Sequence, residues 1–230
     1  MQTRRFSFRG RRKNFGCGMS QRISGYSRKP DEAYETVTWP VVALLKQLSR
    51  IRLAWDPCDR HRGQLVRTLR HHGVQTIGTA QDFLTISAPP AGVDILITNP
   101  PYGENRRGEM AVRFIEHALE LAVPRICMLL RNDFDSAITR QHLFRFNLAF
   151  AGKLVLLNRI KWFAGPLSPS DNHAWFLWDR QHIEAPSIHY VTRVEAENIA
   201  AASKHFSAFQ DATLPPSVSG GVEARKATSG

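Results

Sequence analysis

Four consecutive residues, Asn99-Pro100-Pro101-Tyr102, combine a side-chain amide, two rings that fix φ, and an aromatic plate. Pro101 biases Pro100 toward an extended backbone, and each proline removes an N–H. The carbonyls of this turn therefore have no regular ladder to join. They are free to face a ligand together with the Asn99 amide. Such a set suits one demanding task. An exocyclic amino group on a base is a poor nucleophile, because its lone pair is delocalised into the ring. The Asn99 side-chain oxygen and the Pro100 carbonyl would each accept one of its N–H groups and favour a more tetrahedral nitrogen. Tyr102 would stack on the ring.

The turn needs a rigid mount. Val93 to Thr98 is short, apolar and rich in β-branched residues, as expected of a strand covered on both faces of a parallel sheet. Ahead of it, Ile51–Trp55 and Val74–Thr79 read as strands, with a helix over Gln64–His71 between them. Trp39-Pro40 opens an earlier helix whose apolar face is Val41, Leu44, Leu45 and Leu48, with Thr38 as its cap. After the turn, Met110, Phe114, Ala118 and Leu121 set a helical stripe. Arg125–Leu130 is a buried strand, and Ser136–Phe146 reads as a helix. Leu154–Trp162 and Ala174–Trp178, joined by a Pro/Ser loop, read as an antiparallel pair. The order predicts an α/β fold. It is a single doubly wound, mostly parallel sheet that ends in an antiparallel strand pair.

The motif and the order of these segments resemble the S-adenosylmethionine-dependent amino-methyltransferases of class I, particularly those acting on adenine N6 in DNA. In that family the strand before Asn/Asp-Pro-Pro-aromatic is the fourth. The resemblance covers roughly residues 30–179 and implies a cofactor, S-adenosyl-L-methionine. It assigns catalysis to Asn99, Pro100, Pro101 and Tyr102. It assigns cofactor contacts to Tyr34 and Thr36 ahead of the first strand, and to Asp56, Pro57 and Gly63 in the loop after it. Asp82 and Phe83 would contact the cofactor adenine. The chain departs from the family in three places. Val37 stands where a proline is common. Asp59, Arg60, His61 and Arg62 replace the middle glycines of the cofactor loop, where only glycine leaves room for close approach. No acid stands between Gly73 and Gln81 to accept from the ribose hydroxyls, and the segment before Val93 is short for a full strand-helix-strand unit.

The net charge of +11 is unevenly spread. Residues 1–30 hold nine Lys/Arg and no acid; the other 200 residues hold 22 basic and 20 acidic groups. Residues 1–29 read as a disordered basic arm suited to nucleic-acid phosphates. Residues 30–192 read as the methyltransferase-like domain, 193–210 as a peripheral helix, and 211–230 as a disordered tail. Nucleic acid is the expected partner, DNA ahead of RNA, with no membrane role and no oligomeric state specified. Arg106 and Arg107, after the turn, are placed to meet a substrate phosphate. The same turn also serves methylation of guanine in structural RNA and of a protein glutamine, since each offers a planar, deactivated nitrogen. The altered loop keeps a further alternative open, an inactive methyltransferase-fold protein that binds nucleic acid. Three scattered cysteines, Cys17, Cys58 and Cys127, have no metal or disulfide spacing and suit a reducing cytoplasm. No metal is expected. His173 stands isolated in the Pro/Ser loop.

Overall fold

In the computed structural model, residues 36–59, 63–102, 108–162, 171–199 and 201 are described. The basic arm, Tyr34, Arg60 to Arg62, Arg106 and Arg107, the Pro/Ser loop up to Ser170 and the C-terminal tail lie outside them.

In chain order the elements are α1 (Thr38–Gln47), β1 (Ala54–Asp56), α2 (Gln64–His71), β2 (Thr76–Gly78), β3 (Ile95–Thr98), α3 (Glu109–Glu120), β4 (Arg125–Arg131), β5 (Phe150–Leu156), β6 (His173–Asp179) and β7 (Ser187–Val191). Among the described residues, seven strands form one sheet in the order β2-β1-β3-β4-β6-β5-β7. Only β6 runs antiparallel to its neighbours, β4 and β5; every other pairing is parallel. This is the doubly wound, mostly parallel sheet with an antiparallel C-terminal pair that the sequence implied.

The alternation along β3 explains why its sequence looks uniformly apolar. Leu96 points into a layer with Phe114, Ile115 and Ala118 of α3. Ile95 and Ile97 point into the opposite layer with Leu44 of α1 and Leu65 and Leu69 of α2. Both faces are covered, so no position in β3 is polar except Thr98 at its end. In β6, Trp175 and Trp178 bury their rings on opposite faces. Trp175 Nε1 donates to the Pro40 carbonyl at 2.8 Å and Trp178 Nε1 to the Leu143 carbonyl at 2.8 Å. Each indole thus finds a partner for its one donor and ties the antiparallel strand to both layers. At the opposite edge of the sheet, Asp94 accepts from the N–H groups of Arg52 and Leu53 and from Arg125 Nη2. These bonds join the starts of β1, β3 and β4 and hold the Asp94 carboxyl below the usual carboxylate range, against a burial cost that pushes the other way.

Several expectations are corrected. Thr38 is not the cap of α1. Val37 stands there without a side-chain bond, and Thr38 is the first helical residue. Ser136–Phe146 is not an α-helix but two 3₁₀ turns, Phe134–Ser136 and Ile138–Arg140, followed by further turns. Only Leu143 and Phe144 of its apolar residues are buried, while Ile138 is 80% exposed. No continuous stripe exists there to hold a helix on the core. Between Gly78 and Ile95 the chain makes one 3₁₀ turn, Phe83–Thr85, and no strand or α-helix, so the strand carrying the Asn-Pro-Pro-Tyr turn is the third among the described residues. The second strand of the expected pair begins with His173 itself, which is not a loop residue. The first, β5, ends at Leu156; Ile160, fully buried, anchors the departing segment. β7 was not foreseen, because Ile188 and Tyr190 are both exposed and give no buried face to read.

Candidate active site

The wiring of the sheet defines where a ligand can enter. From β1 the chain goes to β2 on one side and then to β3 on the other. The crevice between the carboxyl ends of β1 and β3 is therefore a topological switch point, the place where open α/β sheets bind ligands. Asp56 ends β1 and Thr98 ends β3, so the Asn99-Pro100-Pro101-Tyr102 turn begins at that crevice.

Asp56 is buried. Its Oδ1 accepts from Thr98 Oγ1 at 2.7 Å and from the Cys58 N–H at 3.0 Å. Burial pushes the carboxyl up to about 7; the two hydrogen bonds oppose that rise, and the Asp59 charge adds to it. A carboxyl so placed is poised to become charged when a cation arrives. Pro57 is buried behind it, and Gly63 caps α2. Asp59 is the unexpected member of this loop. Its carboxylate accepts from the Gly63 N–H and packs against Gly78, where an added Cβ would overlap it. The sequence lacks an acid at the end of β2, yet the fold delivers one there from the neighbouring loop. The same carboxylate occupies the N–H that a glycine-rich loop would offer to a ligand.

On the substrate side, Pro100 is buried, and Asn99, Pro101 and Tyr102 are half-buried. The Tyr102 ring meets Phe134 edge-on, with centroids 6.4 Å apart at 76°. Its hydroxyl is fully buried, and burial raises the phenol above its usual range, against a weaker opposing pull from the Arg131 backbone. What Tyr102 leaves exposed is therefore ring and backbone, not its polar tip. Phe134 is braced in turn by Arg140, whose guanidinium lies 3.9 Å over the ring and whose Nη1 donates to the Phe134 carbonyl at 2.9 Å. Gly108, at φ +68°, returns the chain to α3 beneath these rings; an added Cβ would stand 3.0 Å from Phe134 Cε2. Thr98, Asp59, Gly108 and Arg140 were not singled out as cofactor or substrate contacts from the sequence. Only the left-handed glycine before α3 carried a local signal.

The remaining expected residues are dispersed. Thr36 is buried just ahead of α1, and Thr38 Oγ1 accepts from Gln64 Nε2 at 3.2 Å, which joins the starts of α1 and α2. Asp82 is exposed and accepts from the Leu84 N–H at 3.1 Å, capping its own turn. Phe83 is 1% exposed and lies among Trp55, Phe114 and His117, so no face of its ring is open. His173 is buried beside Trp162, and burial depresses its imidazole to about 4; it is neutral at physiological pH.

No protein-family model matches the sequence, and no curated protein matches it. Among solved structures, the chain is similar to a type I restriction-modification methyltransferase subunit from Streptococcus thermophilus. The identity is 13% and the TM-score 0.49, over 77% of this chain and 54% of that one. It is also similar to a class I S-adenosylmethionine-dependent methyltransferase from Listeria monocytogenes, at 12% identity and TM-score 0.42, over 74% of this chain and 68% of that one. A third is a 16S rRNA N2 G1207 methyltransferase from T. thermophilus, at 15% identity and TM-score 0.30 over 64% and 41%. The chain thus spans about half the length of the Streptococcus subunit.

Proposed function

We propose that the chain is an S-adenosylmethionine-dependent methyltransferase acting on an amino nitrogen, with adenine in DNA as the favoured substrate. One observation carries this reading. The Asn99-Pro100-Pro101-Tyr102 turn begins at the switch point of the sheet, one hydrogen bond from the buried carboxyl of Asp56.

The residues present suit the amino-acid end of the cofactor. Asp56 would hold its ammonium, and that positive charge would repay the cost of ionising a buried carboxyl. Asp59 is the acid available near the end of β2 for the ribose hydroxyls. When bound, S-adenosylmethionine supplies a methyl carbon that is already electrophilic. The protein then has mainly to position the amine about 3 Å away and in line. Asn99 Oδ1 and the Pro100 carbonyl would accept its two N–H groups, Tyr102 would flank the base, and water would take the proton released. The basic segment 1–29 favours nucleic acid over a protein glutamine as substrate.

Asp59 also supports a second reading. Its carboxylate fills the space beside Gly78 and takes the Gly63 N–H, which suits an inactive relative that keeps the fold and binds nucleic acid. One experiment separates the two. The full chain is incubated with methyl-labelled cofactor and, separately, with DNA, RNA and cell protein. Label is expected in DNA adenine. Asn99→Ala should lower transfer by at least ~10² while cofactor affinity measured by calorimetry stays within about twofold. No label in any pool, with no cofactor binding, selects the inactive relative.

A further inference from the structure

A cavity of about 390 Å³ opens between α1, the segment after β5 and the helical residues 193–199. Its lining includes Thr38, Trp39, Arg159, Lys161, Arg193 and Glu197. Three cations from two separate segments converge on it against one carboxylate. Arg159 Nε donates to Asn172 Oδ1 at 3.1 Å. Ile160 is fully buried, which places its neighbours Arg159 and Lys161 outward at the cavity. Arg193 is fixed by its backbone: its N–H donates to Asn158 Oδ1 at 2.7 Å. Thr192 and Glu195 form a reciprocal capping box at the same helix start. Glu197 pairs with Arg193 at 2.6 Å, so it screens one cation and leaves the site net positive.

The cavity also faces the right way. β5 is parallel to β3 and β4, so residues 157–161 leave the sheet at the same carboxyl edge as Asn99 to Tyr102. Three strand spacings separate β3 from β5, about 14 Å across the edge. That distance lies within reach of a phosphate flanking a base held at the turn.

We infer that this cavity is a phosphodiester site for the nucleic-acid strand. Arg159, Lys161 and Arg193 grip the backbone about 14 Å to one side of the target base. Nucleic acid as the source of the anion rests on the proposed function; the preference for an anion does not. Contacts of this kind position the strand and carry no sequence information. The domain would thereby have a fixed phosphate anchor separate from the basic arm.

The test uses the full chain and a fluorescent single-stranded oligonucleotide titrated at several salt concentrations. The double variant Lys161→Gln/Arg193→Gln should weaken binding and flatten the plot of log Kd against log salt by about 1.4, since each lost phosphate contact in a single strand removes about 0.7. The charge-keeping pair Lys161→Arg/Arg193→Lys should restore the parent slope. A control pair of equal charge loss, Arg113→Gln/Arg145→Gln, should leave it unchanged. An unaltered slope in the first variant, or an equal fall in the control, overturns the assignment. So does competition at this site by a poly-glutamate peptide but not by a second oligonucleotide. Circular dichroism checks that each variant is folded. Cofactor binding is followed in parallel. A slope change in a chain that binds no S-adenosylmethionine keeps the phosphate site and removes the methyltransferase reading.

Discussion

At the scale of single residues, Asp56 carries the strongest consequence. Its carboxyl binds a proton far more tightly when folded, at about 7, than its ordinary value of 3.8. The sign follows from that difference. The stability this group contributes is complete below about pH 4 and is lost as pH rises to about 7. Asp56→Asn stays neutral and keeps an acceptor oxygen for Thr98 and Cys58. The variant should therefore melt higher than the parent at about pH 8 and level with it near pH 4, as thermal unfolding at both values would report. Ligand binding runs the other way. If Asp56 holds an ammonium, cofactor affinity rises with pH up to about 7 and is flat above it, and Asp56→Asn removes the slope. Calorimetry across that range checks both. Asn99 to Tyr102 and Asp56 were legible as candidates, because chemical type and order name them. The partnership of Asp56 with Thr98 was not, since it joins residues 42 apart that only strand pairing brings together. The route of Asp59 to Gly78 was hidden for the same reason. A sequence shows the missing acid at β2 but not the loop that reaches across to it.

Among elements, reading succeeded where a buried face repeats and failed where it does not. β3, β4 and β6 are apolar on both sides, and α3 presents Phe114, Ile115 and Ala118 at helical spacing. The Phe134–Asn147 stretch has comparable apolar content without the period, and it folds as turns pinned by Phe134, Leu143 and Phe144. β7 is held mainly by its ladder to β5. That ladder has one fixed requirement. Gly152 sits at φ +138° beside an irregularity in β5, and an added Cβ there would overlap the Ser187 carbonyl. Gly152→Ala should cost about 3 kcal/mol, with a lower urea midpoint at unchanged m. A loss well under 1 kcal/mol would mean that β7 shifts away without consequence for the rest of the sheet.

Over the whole chain, charge and shape are divided between different parts. The described sheet carries the crevice, while residues 1–30 carry nine positive charges without one acid. Removal of residues 1–29 should flatten the salt dependence of duplex binding by roughly 0.9 for each cation that had met a phosphate. Fluorescence anisotropy at graded salt measures it, and an undiminished slope would assign all phosphate contact to the domain. No helix among the described residues is long and apolar enough to cross a membrane.

Among the described residues, the two borders of the sheet differ in a way that matters for handling the protein. β2 ends it on one flank with three residues, too short a template for another molecule to zip onto. β7 ends it on the other with five, among them Ile188 and Tyr190, at 55% and 63% exposure. Self-association in concentrated stocks, and the first fibrillar contacts on storage, would start from that flank. A lysine in place of Ile188 is the simplest way to blunt it.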